Sequence, residues 1–191
     1  IDTGGGKDLR QVGGGRDGGD GGTGVDTLVV DYSWMTETVT SAYEANAFRN
    51  GGNTIGVSYA GIEKFKVTTG SGADYIQTGS GADTVSTGAG DDVIDTQAGA
   101  AVVDGGAGAD RWIADFSTSG ADGTLDLTAA ASHFLGGQVK GIEMITLTTG
   151  GGDDTITTLV GASLYSDTIA TGAGDDTITV GGGRDYVDGG A

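Results

Sequence analysis

Apolar side chains are sparse and evenly spaced in this chain. One aliphatic residue recurs every nine positions at Ile76, Val85, Ile94 and Val103. The spacing resumes at Ile156 and, after a short interruption, at Ile169, Ile178 and Val187, while Leu28 stands in the same context near the start. Thr, Tyr, Val, Ser and other strand-compatible residues flank each of them, and the six positions between are rich in Gly, Ala, Thr and Asp. Alternating sides need only three residues to bury one, so the pattern predicts three-residue strands joined by six-residue turns. Recurrent glycine in every turn excludes a helix through these runs. One buried aliphatic per nine ordered residues leaves most of the conformational entropy unopposed, so something besides apolar burial must hold the fold.

Set in register, the nine-residue units run from Thr69 to Ile113 as TGSGADYIQ, TGSGADTVS, TGAGDDVID, TQAGAAVVD and GGAGADRWI. They return as TGGGDDTIT from Thr149 and, after four extra residues, as ASLYSDTIA, TGAGDDTIT and VGGGRDYVD up to Asp188. Three more stand at the N-terminus: TGGGKDLRQ, VGGGRDGGD and GGTGVDTLV. Of these twelve units eleven have Asp at position 6 and eleven have Gly at position 4, far beyond chance for a chain with 27 acidic residues in all. Only Glu37, Glu44, Glu63 and Glu143 are glutamates, and short carboxylates beside glycine belong to turns rather than to helix surfaces. Dense carboxylates in turns suit hard cations. The formal charge of −18 excludes a nucleic-acid footprint and argues against an anionic membrane surface. No apolar run approaches the ~18 residues of a spanning helix, so membrane insertion is not expected. Absence of cysteine excludes a disulfide framework, and absence of proline excludes collagen despite 41 glycines.

The unit resembles G-G-x-G-x-D-x-U-x, the calcium-binding nonapeptide of the RTX (hemolysin-type) family. That resemblance implies an all-β fold, a right-handed parallel β-roll or β-helix solenoid with two nonapeptides per coil. Stacked units are then eighteen residues apart. Strand spacing of ~4.8 Å sets position-6 carboxylates across a common gap, where two Asp and backbone carbonyls would supply the 6–8 oxygens calcium takes. The candidate ligands are Asp8, Asp17, Asp26, Asp74, Asp83, Asp92, Asp110, Asp154, Asp167, Asp176 and Asp185. Carbonyls of Gly70, Gly72, Gly88, Gly90, Gly106, Gly108, Gly150, Gly152, Gly172 and Gly174 complete the set. Expected pairs are Asp8–Asp26, Asp74–Asp92, Asp92–Asp110, Asp154–Asp176 and Asp167–Asp185, about five full sites with Ca2+ as the cofactor. Asp83 would face Ala101, in a unit that also carries Gln97 for glycine, so that site is expected to be degraded.

The segments expected are repeats at 1–29, 69–113 and 149–191, with spacers at 30–68 and 114–148, all in one continuous solenoid. The spacers resemble each other. One opens with Asp31-Tyr32-Ser33 and the other with Asp115-Phe116-Ser117, and both close on Gly-Ile-Glu at 61–63 and 141–143. AGIEKFKVT and KGIEMITLT are in phase with the arrays and read as cap units, with Phe65 or Ile145 at position 6 and a Glu at position 4. Glu63 and Glu143 are candidate substitute ligands toward Asp83 and Asp167, or else caps on backbone amides. Trp112 is too large for a narrow roll, so the coil should widen there. Thr36 to Arg49 lacks glycine and reads as either a helix or an irregular loop.

No catalytic constellation stands out. His133 is the only histidine, GVSYA at 56–60 misses the G-x-S-x-G elbow, and the glycine loops recur between strands rather than opening a helix. Threonines at positions 7 and 9 read as outward β-branched residues rather than an ice-binding face, because Tyr75, Gln77, Arg111 and Tyr186 break the rows. The expectation is a non-enzymatic, calcium-folded structural module of a secreted or cell-surface protein of a Gram-negative bacterium, of S-layer or adhesin type and exported by type I secretion. Self-association into a lattice and binding of cell-surface polysaccharide are open to it. The alternative is the C-terminal RTX module of an exported protease, lipase or alginate-modifying enzyme. The chain opens and closes within units, as a piece of a longer array would.

Overall fold

Every regular element is a strand in the computed structural model, which describes residues 5–6, 9–42, 46–159 and 164–191. The first segment gives β1 (Gly5–Gly6), β2 (Leu9–Val12), β3 (Arg16–Asp20), β4 (Thr23–Gly24) and β5 (Thr27–Asp31). The first spacer gives β6 (Val39–Ala42), β7 (Ala47–Asn50), β8 (Gly56–Ala60) and β9 (Lys64–Thr68). The central array gives β10 (Tyr75–Gln77), β11 (Thr84–Ser86), β12 (Val93–Asp95), β13 (Val102–Asp104) and β14 (Arg111–Asp115). The second spacer follows with β15 (Thr124–Asp126), β16 (Ser132–Phe134), β17 (Gly137–Lys140) and β18 (Met144–Thr148). The last are β19 (Thr155–Thr157), β20 (Thr168–Ala170), β21 (Thr177–Thr179) and β22 (Tyr186–Asp188).

Successive array strands go to opposite sheets. β10, β12 and β14 pair in parallel in one, with Ile76 beside Ile94 and Ile94 beside Trp112. β9, β11 and β13 pair in parallel in the other, with Val67 beside Val85 and Val85 beside Val103. The ten-stranded sheet runs β22-β20-β18-β14-β12-β10-β6-β7-β8-β3 and so draws on repeats and spacers alike. The opposing side holds a seven-stranded sheet, β16-β17-β13-β11-β9-β5-β2, and a three-stranded one, β15-β19-β21. Single inward side chains fill the space between: Leu28, Ile76, Val85, Ile94, Val103, Ile156 and Ile169 are all buried. Ile178 is half-buried and Val187 exposed.

A row of buried threonines lines the turns, Thr69, Thr78, Thr87, Thr96, Thr149 and Thr171 at position 1 and Thr158 at the start of the four extra residues. The Thr69 hydroxyl donates to the Thr87 carbonyl at 3.0 Å, Thr87 to Gly105 at 2.9 Å and Thr149 to Thr171 at 3.0 Å. Each such bond staples one unit to the unit stacked on it.

The spacers enlarge a coil on opposite sides. β5 and β9 pair directly while β6, β7 and β8 project into the other sheet; β14 and β18 pair directly while β16 and β17 do the same. Over its described residues, 36–42 and 46–49, the stretch read as helix or irregular loop is neither. It holds two antiparallel strands, with Thr40 opposite Arg49 and Ser41 opposite Phe48. The open backbone edges of β10 and β8 account for this, since β6 pairs with β10 and β7 with β8, and a helix there would leave those edges unsatisfied. The widened coils are filled by aromatic rings. Phe48, Tyr59 and Phe65 cluster with centroids 5.0–5.8 Å apart, and Trp112, Phe116 and Phe134 at 5.3–6.4 Å. Trp112 is buried and its indole N–H donates to the Thr96 hydroxyl at 2.9 Å.

Candidate metal centre

The position-6 carboxylates form columns along the stack. In each, one carboxylate oxygen of a unit accepts the backbone N–H of the stacked position two units earlier. Asp92 Oδ1 accepts from Asp74 N at 2.7 Å and Asp110 Oδ1 from Asp92 N at 2.9 Å. Asp176 Oδ1 accepts from Asp154 N at 2.8 Å and Asp185 Oδ1 from Asp167 N at 3.0 Å. At the foot of each column the spacer supplies the amide: Val39 N to Asp74, Gly123 N to Asp154 and Ile145 N to Asp167. The structure therefore brings together the pairs 74–92, 92–110, 154–176 and 167–185. Asp8 lies outside the described residues, and with it the pair 8–26. Asp83 accepts from Phe65 N at 2.8 Å and has Phe65 on one side and Ala101 on the other, so no carboxylate faces it.

Two placements differ from the sequence reading. Asp17 stands exposed in β3, opposite Val57, because residues 16–20 run extended along β8 instead of turning. Glu63 and Glu143 face the preceding units, not Asp83 and Asp167. Glu63 Oε2 accepts from Asp26 N at 2.9 Å and Glu143 Oε2 from Asp110 N at 2.8 Å. The cause is a two-residue slip. β9 pairs Lys64 with Thr27 on one side but Lys66 with Thr84 on the other, and β18 pairs Met144 with Arg111 but Thr146 with Thr168. A slip of two keeps the same residues facing inward, and it brings each Glu opposite the Asp of the unit before it.

The glycines of positions 2 and 4 are required by the stack as well as by the turn. A Cβ on Gly88, where φ is +87°, would lie 2.2 Å from the Gly70 carbonyl oxygen, and one on Gly90, at φ +120°, 2.5 Å from that of Gly72. Position-2 carbonyls also carry the ladder, since Gly70 O accepts from Ala89 N and Gly88 O from Ala107 N. Gln97 keeps a left-handed φ of 48° without being glycine.

The second carboxylate oxygens are what fits an ion. Oδ2 of Asp74, Asp83, Asp92, Asp110, Asp154 and Asp176 is buried with no hydrogen-bond partner. A buried carboxylate with one satisfied and one orphaned oxygen is costly unless a cation meets it. Burial pushes Asp83 and Asp92 up to about 6 and Asp110 up to about 7. The amides that bond them pull the other way, while neighbouring carboxylates push Asp92 and Asp110 further up. Burial raises Asp74 and Asp167 as well. Among the described residues no three His, Cys, Asp or Glu side chains converge on one point, so an ion here rests on carboxylates two at a time plus backbone carbonyls.

An outer row went unread in the sequence. Asp91 accepts from Ala109 N, Asp122 from Asp153 N and Asp153 from Asp175 N, each at 2.9 Å. Asp at position 5 of stacked units was its signal. Ser58 of the GVSYA string is simply an exposed residue of β8.

The family model of the RTX calcium-binding nonapeptide repeat matches the chain in four copies, over residues 68–103, 79–111, 146–164 and 161–191. No curated protein matches it.

Proposed function

We propose, from the premise that residues 68–111 and 146–191 are RTX calcium-binding nonapeptide repeats, that this chain is a structural module whose folding is driven by calcium. The observation that carries the reading is the column of buried Asp side chains, each with one oxygen on a backbone amide and the other unpartnered. Asp74 with Asp92, Asp92 with Asp110, Asp154 with Asp176 and Asp167 with Asp185 would hold the ions, with Asp8 and Asp26 as a fifth pair. Carbonyls of the turn glycines fill the remaining positions. The two-faced stack of parallel strands eighteen residues apart supports a right-handed solenoid of two nonapeptides per coil. Five ions would bring a formal −18 to −8.

The chain has no catalytic role in this reading. It belongs to an exported bacterial protein of S-layer or adhesin type that crosses the envelope unfolded by type I secretion and folds in extracellular calcium. Extracellular modules bind calcium at ~10⁻⁴–10⁻³ M, which would keep the chain unfolded before export. Equilibrium dialysis against millimolar calcium at neutral pH tests the reading. Several ions per chain are expected; no bound calcium would sink it.

A further inference from the structure

Both spacers begin with the same departure from the repeat. In the arrays a position-1 threonine stands beside the carboxylate of its own unit, as Thr69 does beside Asp74 and Thr87 beside Asp92. In the two units that enter a spacer this residue is glycine, Gly21 and Gly105. Asp110 is fully buried, and its Oδ2 has no hydrogen-bond partner. Gly105 packs against that oxygen and against the carbonyl oxygen of Gly141, so that a Cβ there would lie 2.8 Å from the first and 2.0 Å from the second. Glu143 reaches the same gap, with one oxygen 2.8 Å from Asp110 N.

The first spacer repeats the arrangement. A Cβ on Gly21 would lie 2.9 Å from Asp26 Oδ2 and 2.1 Å from the Gly61 carbonyl oxygen, and Glu63 holds Asp26 N at 2.9 Å. Each gap thus offers two carboxylates and a carbonyl, an all-oxygen set of the kind calcium takes. The coil closed by each gap is longer than the ordinary eighteen residues, at 37 between Asp26 and Glu63 and 33 between Asp110 and Glu143.

We propose that Asp110 with Glu143, and Asp26 with Glu63, are mixed Asp–Glu calcium sites that carry the ion column past the last repeat and lock each enlarged coil into register. The inference rests on the calcium reading of the repeats. Glutamate serves here because the two-residue slip of β9 and β18 sets position 4 of each cap unit on that rung, in place of position 6, which is Phe65 or Ile145.

Wild-type crystals grown in calcium, mapped by anomalous scattering, test it without any substitution. Peaks between Asp110 and Glu143 and between Asp26 and Glu63 are expected. Peaks in the Asp74–Asp92 gap with none at either glutamate would overturn this inference and leave the repeat reading intact; no calcium peak anywhere would defeat both. In solution, Glu143→Gln keeps an oxygen for Asp110 N but loses the charge. It should bind one ion fewer per chain than wild type, and the double variant with Glu63→Gln two fewer. An unchanged count in a folded variant would refute the sites, and if the variant does not fold the wild-type map decides.

Discussion

Asp92 and Asp83 occupy equivalent places in their units, yet their replacement by Asn should move stability in opposite directions. Asp92 stands between Asp74 and Asp110 and serves two gaps. Asp83 stands between Phe65 and Ala101 and serves no carboxylate pair. Asn keeps the oxygen that accepts the stacked amide, so both variants isolate the charge. At about 10 mM calcium and ~10⁻⁴–10⁻³ M affinity, each occupied site stabilises the fold by about 1.4–2.7 kcal/mol. Asp92→Asn weakens two sites and should cost about 3–5 kcal/mol. Asp83 is 1% exposed and burial lifts it from 3.8 to about 6. A raised folded-state value means stability is lost as pH rises through it, here about 3 kcal/mol by neutral pH. Asp83→Asn removes that cost and should gain up to about 3 kcal/mol. Urea unfolding at pH 7.5 in calcium, followed by circular dichroism, measures both. Similar losses for the two variants would refute the eighteen-residue pairing.

Other consequences follow from the same geometry. In chelator the raised Asp74, Asp83, Asp92, Asp110 and Asp167 make the ion-free fold bind more protons than the unfolded chain, so it should gain stability as pH falls from about 7 to about 4. Far-UV circular dichroism in EDTA should show more β-structure at pH 4.5 than at pH 7.5, and the reverse order would contradict the burial of these groups. Gly90→Ala puts a Cβ 2.5 Å from the Gly72 carbonyl at a backbone angle only glycine adopts readily, and should lower stability by at least about 1–3 kcal/mol; an unchanged Tm would show the stack is looser than described. Thr96→Val leaves the buried Trp112 indole N–H without its acceptor and should cost about 1–3 kcal/mol in urea unfolding, whereas a neutral result would assign that hydrogen bond no weight.

The array was legible because each unit states its own geometry: Ile76, Ile94 and the Asp two residues before each recur with a fixed phase, and phase alone pairs Asp74 with Asp92. The spacers were less legible because their structure is decided by neighbours. Residues 36–49 carry no strand pattern strong enough to exclude a helix, yet the edges of β10 and β8 claim the strands β6 and β7. Counting forward from Gly61 placed Glu63 at position 4 of its unit, but strand register, not count, sets what it faces, and a slip of two residues turned it toward Asp26. The position-1 threonines were visible as residues and silent as to role, since their bonds run to a carbonyl two units away.

The central claim is that calcium between paired carboxylates, rather than the thin aliphatic core, holds this fold. A calcium titration of the chain from EDTA at pH 7.5, followed by far-UV circular dichroism, tests it most directly. A disordered spectrum in EDTA that becomes β-rich at millimolar calcium is the predicted result. A β-rich spectrum in EDTA that calcium leaves unchanged would contradict it.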